Sequence, residues 1–311
     1  MKISTLWNHL SRTKFARINK TFLRSFRQPG MPNNRLAAWD PLDPSLRYFK
    51  FLLFHVVNSK NKRFFRNYAK IGPTLVGNPV HIPVHFRAVD GTKISVNLDH
   101  FLAVEEYTFL KDHMGFNGVR DIVEIGAGFG RTAQSILKLA PRTRSYTIID
   151  LPNVLALSSY YLKSVLKQKD FRKLKFIVAD SLEALGSFPP CDLVINIDSF
   201  QEMPRQTIKY YFQKVICNCR FFYSKNPIGK YRPESVGLMR LSKKNMMDVF
   251  SLGLSKELID IFDKKSMHLA RKKHISHYLP TKSFKAVAFE PLGIFPYYLH
   301  VLYKNDNQQP A

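Results

Sequence analysis

From Asp121 onward the chain alternates short apolar runs with longer amphipathic ones, and no other feature constrains its fold as tightly. DIVEIG, SYTIID, KFIVAD, DLVINID and RFFYSKNP have strand length and are nearly continuous in apolar side chains. Between them lie RTAQSILKLA, stopped by Pro141; LPNVLALSSYYLKSVL, with Pro152 in its first turn; and RQTIKYYFQKVICNC. Strands read this way when helices cover both faces of their sheet. A proline in a first helical turn costs nothing, because that N–H has no intrahelical partner. The alternation predicts an α/β fold with a doubly wound, mainly parallel sheet. SFKAVAFEP and YYLHVLYKN follow late in the chain, separated by a short loop with Gly293 and Pro296. They read as an antiparallel C-terminal hairpin that closes the sheet edge.

The chain upstream is organised differently. Residues 1–39 carry eight lysines and arginines from Lys2 to Arg35, with no acid before Asp40. Leu6, Trp7, Leu10, Phe15, Ile18, Phe22 and Phe26 are interleaved with them, mostly three to five apart. This is the pattern of a basic amphipathic arm, which either lies on an anionic bilayer or packs on the main domain with its cations in water. QPGMPNN breaks it with turn residues. Residues 40–100 form an accessory region. FKFLLFHVV is too short to span a membrane and reads as a buried helix segment. HIPVHFRAVDGTKISVNL reads as a hairpin turning at Asp90-Gly91. A helix begins near Leu102 and ends before Gly115, so the α/β domain is expected over residues 101–311.

The turn after the first strand is EIGAGFG, with Gly126, Gly128 and Gly130 after Glu124. In doubly wound sheets ligands bind beyond the carboxyl ends of the strands, at the switch point beside strand one. A dinucleotide site wants G-x-G-x-x-G, with a small third residue for close helix packing. That position is Arg131, so the dinucleotide pattern fails there. Two more strands end in acids. Asp150 follows Gly126 by 24 residues, where a carboxylate can accept both hydroxyls of a ribose, and Asp180-Ser181 end the third strand.

The form E-x-G-x-G-x-G resembles the first motif of class I S-adenosylmethionine-dependent methyltransferases. DLP-x-V-L-A-L-x-S-Y-Y-L, D-S-F-x-E-M and VGNP (Val76 to Pro79), together with EIGAGFGRTA, resemble a bacterial family of sugar O-methyltransferases, over roughly residues 70–230. The resemblance implies a seven-stranded Rossmann-like methyltransferase sheet and S-adenosylmethionine as cofactor. It places Glu124, Gly126, Ala127, Gly128, Gly130, Asp150, Leu151, Asp180, Ser181 and Asn196 around that cofactor. Plant-type small-molecule O-methyltransferases, which share the D-L-P-x-V run, carry a histidine base after the fourth strand. This chain has Asp198-Ser199-Phe200 there and no histidine.

Methyl transfer to a hydroxyl needs an in-line acceptor and a base to take its proton. Asp198 and Glu202 follow the fourth strand four residues apart, on one face if the segment turns helically. Asp198 is the expected base or hydroxyl anchor and Glu202 its partner or a substrate ligand. The competing role for Glu202 is capping the next helix. A divalent metal held by the pair is the weaker reading, since no third ligand is evident. Asn226, after the fifth strand, is a candidate amide ligand to a sugar hydroxyl. His268, His274 and His277 sit among Arg and Lys in ARKKHISHY, a segment that reads as a solvated or acid-binding face.

The 48 basic and 23 acidic residues leave a formal charge of +25. A surplus this large bears on partners rather than on fold. It fits nucleic acid, an anionic membrane surface or an acidic substrate. Amino-directed nucleic-acid methyltransferases carry prolines after the fourth strand, which Asp198-Ser199-Phe200 lacks, so that class is the alternative and not the first expectation. Cys191, Cys217 and Cys219 lack metal-ligand spacing and read as reduced thiols. With no apolar leader evident, the expected compartment is the cytoplasm, at the inner face of the membrane if the basic arm attaches there.

Overall fold

The apolar run Asp121–Ile125 (β3) forms the middle of a seven-stranded sheet. A computed structural model describes residues 3–13, 15, 18–28, 53–72, 74–79, 82–87, 93–180, 188–232, 235 and 250–308. On one side of β3 lie Ser145–Asp150 (β4) and then Leu174–Val178 (β5), both parallel to it. On the other side lie Cys191–Ile197 (β6) and Cys219–Pro227 (β7), again parallel. Tyr298–Asn305 (β9) runs antiparallel between β7 and the edge strand Phe284–Pro291 (β8). The order β5-β4-β3-β6-β7-β9-β8 is the expected doubly wound, Rossmann-like seven-stranded sheet, with the predicted C-terminal hairpin at one edge. The chain reverses its winding between β3 and β6, which opens a crevice at their carboxyl ends.

Two layers of apolar side chains cover the sheet. One contains Ile122, Ile148, Leu193 and Ile195 with the helices Arg131–Leu139 (α5) and Pro152–Val165 (α6), followed by the short helix Gln168–Phe171 (α7). The other contains Val123, Ile149, Val194 and Phe222 with Arg205–Lys214 (α8) and Lys264–His277 (α9). The helix expected from Leu102 runs over Leu98–His113 (α4). It starts earlier because the Asn97 side chain caps it, accepting the N–H of His100. The hairpin strands are Ile82–Arg87 (β1) and Lys93–Val96 (β2); their turn lies outside the described residues. Of FKFLLFHVV, residues 53–57 are helical, with Leu53 and Val57 buried but Phe54 exposed. No helix among the described residues is long and apolar enough to cross a membrane.

The basic arm forms two short helices, Thr5–Arg12 (α1) and Lys20–Ser25 (α2). Its apolar side chains do not await a bilayer: Leu10, Phe15, Phe22 and Phe26 belong to the core layer over α5 and α6. Their rings run in series, Phe15 to Phe22 at 6.0 Å and Phe22 to Phe26 at 6.3 Å, ending on Phe129 at 5.7 Å and Tyr161 at 6.2 Å. Arg27 is buried with them and pairs with Asp99 at 2.6 Å. In the accessory region, the helix Lys62–Ile71 (α3) packs Phe64 and Tyr68 on α4.

Phe26 joins the arm to the α/β core, with Gly77 tucked against its ring. Phe26→Ala is therefore expected to lower global stability by about 3–5 kcal/mol in urea titration. A loss below ~1 kcal/mol would mean that the arm is not part of the cooperative unit.

Candidate active site

The three glycines after Glu124 all have positive φ: +75° at Gly126, +57° at Gly128 and +94° at Gly130. At Gly126 the requirement is steric as well, because a Cβ there would lie 2.2 Å from the Ser199 hydroxyl. That closeness lets the loop after β6 fold down onto the turn. A Cβ at Gly128 would meet nothing within 4 Å, so this backbone faces open space. The space is a cavity of about 200 Å³ over the β3–β6 crevice. Glu124, Gly126, Ala127, Gly128, Asp150, Leu151, Asp198 and Glu202 all line it. Eight of the residues singled out from the sequence are thus brought together.

Three of its carboxyls are held in a dry setting. Burial pushes Glu124 up to about 7, against the Tyr146 hydroxyl, which donates to its Oε2 at 2.7 Å. Asp150 is likewise raised to about 7 by burial, although its two oxygens accept the N–H groups of Leu151 (2.8 Å) and Gly128 (3.1 Å). Those two bonds fix the carboxylate and leave further lone pairs free to accept a diol. Asp198 sits at φ +60°, unusual for a non-glycine residue, and its N–H donates to the Lys225 carbonyl at 2.9 Å. Burial, reinforced by the nearby charge of Glu202, raises it to about 7 as well. The Tyr298 hydroxyl donates to its Oδ1 at 2.9 Å, as does the Gln201 amide.

Glu202 closes the one-turn helix Phe200–Glu202 and accepts a 2.7 Å hydrogen bond from the Trp7 indole. It does not cap α8, which begins after Pro204 without a side-chain cap. Ser4, Trp7, Leu10 and Phe15 complete the cavity wall, so α1 lies across its mouth. The other end of α1 is tied down where the Asn153 amide donates to the Ser11 carbonyl at 3.3 Å.

Beneath the cavity lies Glu106 of α4, fully buried and held below the usual carboxylate range. Burial opposes its ionisation, but Arg131 and Lys225 outweigh burial. Arg131 donates to it at 2.7 Å, Lys225 pairs with the same oxygen, and Thr132 donates to the other at 3.2 Å. Arg131 thus stands where a dinucleotide turn needs a small residue because its guanidinium is required inside the protein.

Other expected ligands are placed elsewhere. Asn196 is fully buried beneath the crevice, donating to Ile125 O (3.0 Å) and Ser199 Oγ (2.6 Å). Asn226, expected to meet substrate, is fully buried too and donates to Asn196 Oδ1 at 2.8 Å. The two amides bridge β6 and β7 and neither lines the cavity. Asp180 is exposed, its neighbour Ala179 forming the wall, and Ser181 lies outside the described residues. Gly130 caps α5 from below instead of facing the cavity. The three histidines of α9 do not converge: His274 is buried against Tyr278 at 4.3 Å and held near 3 by burial. Among the described residues no group of three His, Cys, Asp or Glu could hold a metal ion. Trp7, Tyr298, Tyr146 and Glu106 were not foreseen; Trp7 and Tyr298 reach the site from distant parts of the chain, while Tyr146 stands on the strand that ends in Asp150 and Glu106 on the helix before β3.

No protein-family model and no curated protein sequence matches the chain. Solved structures with a similar fold include the mitomycin 7-O-methyltransferase MmcR, 12% identical with a TM-score of 0.44 over 66% of this chain and 55% of that one. A second is the methyltransferase domain of bacterial CtHen1, 13% identical with a TM-score of 0.45 over 67% of this chain and 100% of that one. A third is human N-acetylserotonin methyltransferase in complex with SAM, 12% identical with a TM-score of 0.37, covering 67% and 55%. The chain spans only 55% of the first and third of these proteins. At these identities the likeness is one of fold.

The raised carboxyls give a pH signature. A buried carboxyl of this kind supports folding while protonated; the contribution is complete below the ordinary value of 4.5 for Glu124 and is lost as pH rises through about 7. Glu124→Gln stays neutral and keeps an acceptor for Tyr146. The ligand-free variant should gain stability over the parent as pH climbs through this window, by up to ~3 kcal/mol above it. Calorimetric melting of both proteins across the range measures this. A difference that does not change with pH would show that Glu124 is ionised throughout.

Proposed function

We propose that the protein is an S-adenosylmethionine-dependent O-methyltransferase whose acceptor is a sugar hydroxyl, in a surface polysaccharide or its activated precursor. The observation that carries this reading is the set of acids at adjacent strand ends around one glycine-lined cavity. Glu124, Asp150 and Asp198 all open onto it. The residues fit a cationic cofactor with a ribose: Gly128 leaves room for it, Asp150 offers two fixed oxygens to a diol, and Glu124 waits for an ammonium group. When bound, S-adenosylmethionine supplies an electrophilic methyl group on a sulfonium leaving group.

The chain's own residues do the rest. Asp198, raised to about 7, has the proton affinity a general base needs near neutrality. Tyr298 and Gln201 hold its Oδ1, which aims the carboxyl at the cavity. Glu202, braced by Trp7, orients the acceptor hydroxyl beside it. The Trp7 ring and Met203 offer an apolar wall to the carbon face of a sugar ring, while α1 excludes water. The resemblance of the DLP and D-S-F-x-E-M segments supports the sugar. The charge of +25 supports a second reading, methylation of a nucleic acid, which tight, steeply salt-dependent RNA or DNA binding with methyl incorporation would establish.

Glycans from cells with and without the gene should differ by one methyl group on one sugar. With that acceptor in hand, Asp198→Asn should lower kcat by roughly 10²–10⁴-fold while S-adenosylhomocysteine affinity, read by calorimetry, changes less than about twofold. Undiminished turnover would remove Asp198 as the base, and absence of S-adenosylhomocysteine binding by the parent would remove the cofactor.

A further inference from the structure

The N-terminal arm buries its phenylalanines, yet the protein does carry an apolar surface among cations, at the start of α9. Asp263 caps this helix, accepting the N–H groups of Lys265 and Ser266. An apolar residue just before such a cap ordinarily packs on the fourth helical residue. Here that residue, Met267, is buried in the core, and Phe262 before the cap is left 75% exposed. Leu258 upstream is 50% exposed and Leu269 on the helix 51%. Met267, Ala270 and His274 form the inward stripe of α9. Leu269 therefore faces outward, with Lys265 one turn before it and Lys272 and Lys273 one turn after.

Single exposed apolar residues are ordinary. Three within twelve residues, set among lysines, present a surface of two chemistries. The acids of the segment are engaged locally: Asp263 holds the helix amides, Asp260 accepts the N–H of Phe262, and Glu257 lies 3.8 Å from His277. Lys256, Lys264, Lys265, Lys272 and Lys273 outnumber these three carboxylates around Phe262 and the leucines, so the face keeps a positive surplus. An anionic bilayer satisfies both halves, because rings and leucines enter the boundary below the headgroups while lysines meet lipid phosphates. A nucleic acid would use the lysines but not the leucines. A second copy of this face would oppose lysine to lysine. The segment is also tied to the acceptor side of the cavity. Gly253 N donates to Met203 O at 2.9 Å, and Lys230 exchanges 2.7 Å bonds with Glu257 O and Ile259 N.

We propose that residues 256–273 form a membrane-docking face, with Phe262 as apolar anchor and Lys264, Lys265 and Lys272 as the rim that recognises an anionic lipid surface. This is independent of which acceptor the protein methylates.

The test is co-sedimentation of the full chain with phosphatidylcholine vesicles, with and without phosphatidylserine. Binding is expected only with phosphatidylserine and should weaken with salt. Phe262→Ser should lower the partition roughly tenfold, and Lys264→Gln with Lys265→Gln by about fivefold per charge. S-adenosylhomocysteine affinity and melting temperature, unchanged in each variant, establish that it is folded. A Phe262→Trp protein should shift its emission to the blue on adding phosphatidylserine vesicles, a gain of signal that misfolding does not produce. Three outcomes overturn the proposal: no vesicle binding at low salt; binding that these variants leave intact; or no vesicle binding alongside a dimer that Phe262→Ser dissolves or an RNA affinity that the lysine variants lose.

Discussion

The site is assembled around one buried carboxylate. Glu106 receives Arg131, the first residue of the helix after the glycine turn, and Lys225, near the end of the strand whose carbonyl holds Asp198. One side chain from α4 thereby joins the two walls of the cavity. Burying three charges is costly, and removing one partner from such a group leaves an uncompensated charge worth ~3–5 kcal/mol of destabilisation. The arrangement therefore tolerates few alternatives in position. Lys225 and Arg131 also bear on Asp198, opposing the burial that neutralises it, whereas at Glu124 the Tyr146 hydroxyl and Arg131 oppose burial and the charge of Glu106 adds to it. Their proton affinities are a balance between desolvation and neighbouring carboxylates on one side and tyrosine hydrogen bonds and buried cations on the other.

That balance gives the cavity its chemical character. Carboxyls poised near neutrality in a space of about 200 Å³ are readily ionised by an incoming cation or hydrogen-bond donor, because its charge or its bond favours the carboxylate and offsets the desolvation that raised it. The cover matters for the same reason. α1 lies across the mouth, pinned at Glu202 through Trp7 and near Asp150 through Asn153, so the low dielectric belongs to the closed arrangement. The arm is at once part of the core, through Phe22 and Phe26, and part of the site, through Trp7 and Phe15.

Much of this was legible in the sequence, for identifiable reasons. The strands from Asp121 to Pro227 were visible because buried parallel strands are apolar throughout, and the C-terminal pair because two such runs flank a Gly- and Pro-containing loop. The acids at strand ends could be aligned because the doubly wound topology puts every parallel strand's carboxyl end on the same edge. The start of α4 was misjudged because a capping asparagine overrides the apolar pattern, and Asn196 and Asn226 because polar residues at strand ends read alike whether they face a ligand or each other. The arm's periodicity was correctly amphipathic, but periodicity cannot name what covers the apolar side.

By itself, then, the sequence determined the sheet, the glycine turn and which strand ends carry acids, since these follow from local pattern and one topological rule. Only the tertiary structure decided which acids share a cavity, that Tyr298 holds Asp198, that Trp7 braces Glu202 across 195 positions of chain, and that Glu106 sits between Arg131 and Lys225. Those contacts join residues far apart in sequence, and their energies depend on burial and on neighbouring charge, neither of which exists until the chain has packed.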